Sequence, residues 1–188
     1  MVLDCNAYAQ KILKDAMQDA AYYAETIQPN FNPTLAIIFI GNDTANREYL
    51  MNKIKIFQRV GIEATVYHLS SNHSKEQIIY FIRVLNEDVR TNAIIVQLPL
   101  PKSLRNDTFD IISSIDPTKD VSKFAYSRIE QLVSSGEWKD ADVIDIAECK
   151  QPSANSPCDA NEIPGSVSLL TAVLASQVVE LAAIQIGL

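Results

Sequence analysis

Residues 34–41, TLAIIFIG, form a nearly unbroken apolar run ending in glycine. A strand with one wet face alternates apolar and polar residues, whereas a strand covered on both faces reads as a continuous apolar run. The stretch therefore predicts a strand buried between two layers. AIIVQLPLP (93–101) predicts another, meeting two prolines as it ends. Between them, NDTANREYLMNKIKIFQRVG (42–61) reads as a helix stopped by Gly61, and IEATVYHL (62–69) as a strand rich in β-branched residues. SNHSKEQIIYFIRVLNED (71–88) carries apolar residues at 78, 79, 81, 82 and 85, the spacing of an amphipathic helix. A helix over 3–27 precedes the prolines of PNFNP (29–33), and a short helix over 106–115 follows the last strand. Strands alternating with helices imply parallel crossovers, so the expected fold is a three-layer α/β/α parallel sheet.

The alternation fades from about residue 124. Residues 137–165 are polar and loop-like, and 167–188, VSLLTAVLASQVVELAAIQIGL, hold one charge, Glu180. That length approaches a membrane span. Ser168, Thr171, Ser176, Gln177 and Gln185 recur through it and no basic flank follows, so it is read as a largely buried C-terminal helix. The expected division is an α/β domain over 1–124, a short linker over 125–162, and a closing helix over 163–188 that packs back on the domain.

Net charge is −7, with no basic cluster, which argues against nucleic acid or an anionic membrane as partner and leaves room for a small ligand. Cys5, Cys149 and Cys158 are odd in number and far in sequence from His68 and His73, so reduced thiols are expected and no metal site. The N-terminus lacks an apolar signal-like stretch, and the expected location is cytoplasmic.

Ligands of open α/β sheets bind beyond the carboxyl ends of the strands. Gln97 sits at such an end, directly after AIIV, where its amide needs partners, either a polar ligand edge or loop backbone. On the 42–61 helix, Phe57 lies about 20° and Lys53 about 60° from Leu50, with Tyr49 about 100° away on the same side. Glu48, Asn52, Lys55 and Arg59 gather opposite. Lys53 is thus the one charge on the apolar face, where an ammonium snorkels out, pairs, or titrates at a lowered pKa.

The stretches PTLAIIFIGNDTANREYLMNKIKIFQRVGI, LNEDVRTNAIIVQLPLPKSL and IDPTKDV closely resemble the methylenetetrahydrofolate dehydrogenase/methenyltetrahydrofolate cyclohydrolase (FolD-type) family, from about residue 3 to 124. The tail to ADVIDIAECKQPSANSPCDANEIPGSVSLLTAVL resembles that family's closing segment more loosely. The resemblance implies Lys53 as the catalytic lysine of the cyclohydrolase step and Tyr49 stacked along the folate. It implies Gln97 as orienting both lysine and substrate, Val96 and Leu98 as lining the cleft, and Asp120, Ser122, Pro164 and Gly165 as the matching substrate-binding positions. The implied ligand is a tetrahydrofolate derivative.

Departures from the family pattern are specific. Ser122 stands where the family has the second aspartate of Asp-Val-Asp-Gly, and Pro164-Gly165-Ser166-Val167-Ser168-Leu169 replaces Pro-Gly-Gly-Val-Gly-Pro. About 35 residues, 125–160, stand where the family carries a nucleotide-binding Rossmann domain, and the five glycines form no Gly-x-Gly-x-x-Gly turn. No NADP site and no Rossmann domain are therefore expected, and any homo-oligomer would use a surface other than the family's. The functional expectation is a cyclohydrolase without dehydrogenase activity. Its alternatives are a catalytically degenerate folate- or heterocycle-binding or regulatory partner, and an enzyme reusing the cleft for another flat heterocycle.

Overall fold

The computed structural model describes residues 5–27, 29, 31–122 and 169–186. Three parallel strands, β1 (Thr34–Ile40), β2 (Glu63–Leu69) and β3 (Ala93–Val96), form one sheet in the order β2-β1-β3. Ile37 pairs with Val66 on one side and Ile95 on the other. As the central strand, β1 is buried from Leu35 to Ile40, which is why its sequence shows no alternation. Its odd residues Leu35, Ile37 and Phe39 enter one core, and its even residues Ala36, Ile38 and Ile40 the other.

The layer on the first face is built from α1 (Cys5–Tyr22), α2 (Thr44–Val60) and the C-terminal helix, α5 (Leu169–Gln185). The opposite layer holds α3 (Lys75–Glu87) and the short α4 (Thr108–Ile112), the latter entered through a 3-10 turn over Lys102–Asp107. Ala9, Leu13, Ala16 and Ala20 of α1 share a core with Leu174, Ala175, Val178 and Val179 of α5. Small side chains at these positions let the two helices approach closely. Asn92 donates to Gln185 Oε1 at 2.8 Å and its carbonyl accepts from Gln185 Nε2 at 3.0 Å, fastening the end of α5 to the entry of β3. Among the described residues no helix is long and apolar enough to cross a membrane.

Several element boundaries differ from those expected. The strand expected over 93–101 ends at Val96, and Pro101, which has no N–H to give a ladder, caps the 3-10 turn that follows. The helix expected over 42–61 starts at Thr44, since the Asp43 carboxylate accepts the Asn46 N–H at 2.8 Å and caps it. Gly61 closes it at φ 89°, donating to the carbonyls of Phe57 and Gln58. Ser74 and Gln77 form a reciprocal capping box that starts α3 four residues later than the expected 71–88 helix. The 3–27 helix ends its α-helical part at Tyr22 and continues as a π-helical turn through Ile27. The expected 106–115 helix resolves into the 3-10 turn and α4. The expected linker 125–162 lies outside the described residues.

Phe57 is fully buried between α2 and the sheet. Truncation to Phe57→Ala is expected to cost about 3–5 kcal/mol, read as a lowered midpoint in urea unfolding with unchanged slope.

Candidate functional site

The carboxyl end of β3 opens into a cavity of about 180 Å³. Because the strand is covered on both faces, the cavity collects side chains from both layers. Tyr49 and Lys53 come from α2 and Leu174 from α5, while Ile112 and Ile115 come from the α4 side. Ile95, Val96, Gln97 and Leu98 of β3 and its exit, with Ser122, complete the wall. The lining is mostly aliphatic, so a charge inside it loses hydration.

Lys53 is that charge. It is 7% exposed, and among the described residues it has no ion pair. Its Nζ donates to Gln97 Oε1 at 3.2 Å and stands 4.4 Å from the centre of the Tyr49 ring. Of the three fates open to a lysine on an apolar helix face, the structure supports titration at a lowered pKa: burial brings it from 10.5 to about 8. The ring face and one amide oxygen compensate only part of the lost hydration.

Gln97 is 6% exposed, and of the two partners open to it from sequence the structure shows loop backbone, with the Lys53 amine as a further one. Its backbone N–H donates to Ile38 O at 2.9 Å, extending the β1–β3 ladder one residue past the strand. Its Nε2 donates to Leu98 O at 2.7 Å, which leaves Oε1 to face the lysine. The loop carbonyl thus selects the amide orientation. Tyr49, expected well within the apolar arc, is instead 39% exposed, since it stands at the mouth of the cavity rather than under it.

Asp120 and Ser122 form a separate unit beside this group. Asp120 is 1% exposed, its residue bridges to Ile94 alongside β3, and it does not line the cavity. Its Oδ1 accepts the Ser122 backbone N–H at 3.0 Å and the Ser122 hydroxyl at 2.7 Å. Ser122 does line the cavity, with its hydroxyl proton committed to Asp120. Pro164 and Gly165 lie outside the described residues.

The structure therefore gathers Tyr49, Lys53, Val96, Gln97, Leu98 and Ser122 around one space. Ile95, Ile112, Ile115 and Leu174 were not singled out from sequence. Nothing in an apolar residue's own pattern separates a cavity wall from ordinary core, and α5 is too uniformly apolar to reveal which face meets the site.

Comparison with known proteins fits this geometry. The family profile described as tetrahydrofolate dehydrogenase/cyclohydrolase, catalytic domain, matches residues 3–122, which include β1, β2, β3 and every described wall residue except Leu174. The chain belongs to that family. Bifunctional protein FolD of Acetivibrio thermocellus is 45% identical over 104 residues, covering 55% of this chain and 36% of the relative. The Aquifex aeolicus FolD is 35% identical over 138 residues, 73% of this chain and 46% of the relative. The crystal structure of the Campylobacter jejuni bifunctional FolD superposes with a TM-score of 0.64 at 30% identity, over 70% of this chain and 45% of that one. The Trypanosoma brucei methylenetetrahydrofolate dehydrogenase-cyclohydrolase, complexed with NADP cofactor and inhibitor, gives 0.62 at 27% identity, over 70% and 43% of the two chains. The chain thus spans less than half the length of these relatives.

Lysine burial has a thermodynamic signature. Because the folded pKa is lowered, the unfolded chain binds more protons between about pH 8 and 10.5, and stability from this group rises with pH through that window. Lys53→Met removes the penalty. The stability of Lys53→Met relative to wild type is expected to fall by about 2–3 kcal/mol between pH 7 and pH 10, measured by urea unfolding at each pH. A pH-independent difference would show that the lysine is not desolvated.

Proposed function

We propose that the chain hydrolyses a 5,10-methenyltetrahydrofolate to 10-formyltetrahydrofolate at the β3 cavity, without a hydride-transfer step. The observation that carries this reading is the Lys53 amine, buried, without an ion pair among the described residues, and held by Gln97 Oε1 at 3.2 Å. With a pKa of about 8, a useful fraction of it is neutral near physiological pH.

The chemistry follows from that amine. Water adds to the electron-poor bridge carbon, and Lys53 takes the proton the water loses. The resulting tetrahedral carbon carries a hydroxyl and two ring-side nitrogens. In the collapse the hydroxyl releases its remaining proton to bulk water as its oxygen forms the C=O bond. The bond to N5 breaks, N5 receives the proton held by the Lys53 ammonium, and the formyl group stays on N10. Gln97 fixes the amine's position through both steps, because its own amide is locked by Leu98 O. Tyr49 at the cavity mouth offers a ring face to a flat heterocycle.

The glycines support leaving hydride transfer out of this reading. The two among the described residues, Gly41 and Gly61, both have positive φ. A Cβ at Gly41 would meet Pro101 Cγ at 3.2 Å, and at Gly61 it would face open space after a helix. The sequence carries no Gly-x-Gly-x-x-Gly turn, and 46 residues separate Ser122 from Leu169. No step is therefore routed through NADP.

A second reading, a folate-binding or regulatory protein without turnover, is favoured by Ser122. At a position where a carboxylate would bind a ligand's N–H donors, its hydroxyl donates to Asp120 instead. A lost charge-assisted bond costs about 1.5–3 kcal/mol, about ten- to a hundred-fold in affinity.

Two measurements separate the readings. Loss of 5,10-methenyltetrahydrofolate absorbance is expected to be accelerated by wild type and slowed about 10²–10⁴-fold by Lys53→Met. Equal rates for wild type, Lys53→Met and buffer would leave binding as the function. Ser122→Asp is expected to tighten tetrahydrofolate binding about ten- to a hundred-fold by calorimetry, and no change would remove the affinity argument.

A further inference from the structure

From the geometry of the β3 cavity we infer that Lys53 is also a nucleophilic amine that captures small carbonyl compounds as imines, an activity separate from folate turnover. Among the described residues, the amine has no carboxylate partner, one hydrogen bond to Gln97 Oε1, and the Tyr49 ring against it. Once neutral, the amine has two N–H donors, one of them bonded to Gln97 Oε1, and a lone pair open to attack. It lines a cavity of about 180 Å³ that is open past Tyr49, so a small carbonyl compound fits within its walls whereas a longer ligand extends through the mouth. The space and its mostly aliphatic lining suit a small neutral aldehyde.

In the reaction, neutral Nζ forms a bond to the carbonyl carbon, and the carbonyl oxygen takes up a proton to give a carbinolamine. Loss of that hydroxyl as water, with the nitrogen's proton, leaves the C=N bond. No oxidant or reductant is consumed. Desolvated lysines in apolar pockets are the ones that form such adducts.

Lys119 shows that burial alone does not confer this. It is 8% exposed and burial also lowers its pKa, but its Nζ donates to Leu85 O at 3.3 Å and Asp88 O at 2.9 Å, and it lines no part of the cavity.

The test is reductive trapping of the full chain with acetaldehyde and cyanoborohydride at pH 7, with peptide mass spectrometry reading the ethylated fraction at each lysine. Lys53 is expected to be labelled about tenfold faster than the exposed Lys11, Lys14 and Lys55, from its larger neutral fraction. Lys119 is expected to stay unlabelled. The Lys53 rate should level off above about pH 8, while the exposed lysines go on rising. Leu174→Phe, which fills the cavity from α5, should slow Lys53 labelling and leave the exposed lysines unchanged. Labelling of Lys53 no faster than Lys11, Lys14 or Lys55, or labelling unaffected in folded Leu174→Phe, would overturn the inference. The readout needs no folate, so it is independent of the hydrolase assay.

Discussion

Gln97, the residue after β3, has its backbone N–H and both ends of its side-chain amide engaged. Its backbone N–H bonds to the central strand at Ile38 O, its Nε2 bonds to Leu98 O, and its Oε1 meets Lys53 Nζ. An amide with either end free could turn over and present a donor to the ammonium, which would repel it. Here the loop carbonyl forbids that. The position of the lysine therefore depends on the path of the chain just past β3, and that path depends on the sheet register, Ile38 opposite Val96. Strand, loop and amine form one mechanical unit.

That dependence explains what was legible in the sequence. The unbroken apolar runs predicted a sheet covered on both faces, and the odd and even residues of β1 do divide between two cores. The periodicity of α2 put Lys53 inside, because a helix of 17 residues with one apolar face leaves little choice of orientation. Tyr49 was less well placed by the same wheel. A wheel ranks directions around a helix axis but ignores position along it, and Tyr49 lies where the layer ends and the cavity opens.

Other features left no trace in local pattern. That Ser122 donates to Asp120 rather than standing free depends on a tight turn and a bridge to Ile94, neither encoded by residue spacing. Leu174 reaches the cavity from a helix distant in sequence, and its neighbours Ala175 and Val178 are equally apolar. In a uniformly apolar helix the face toward the site is chosen by packing against α1, whose alanines at 9, 16 and 20 set how close it lies. Boundaries moved for a related reason, since side-chain caps such as Asp43 and Ser74 override the periodicity of the residues before them.

Two of the described lysines are buried, and comparing them separates structural from chemical burial. Lys119 places its ammonium against the carbonyls of Leu85, in the last turn of α3, and of the capping Asp88, where the helix dipole favours a cation. Its burial fastens the segment before Ser122 to the helix layer, with two of its three donors used in doing so. Lys53 faces an aromatic ring and one amide oxygen, which can hold an ammonium or accommodate an amine. A site built only to stabilise the fold would gain more from a leucine at that position, since an aliphatic side chain there would cost no desolvation. A lysine in an aliphatic wall, oriented by an amide that is itself locked, is an arrangement whose benefit is realised only when something enters the cavity.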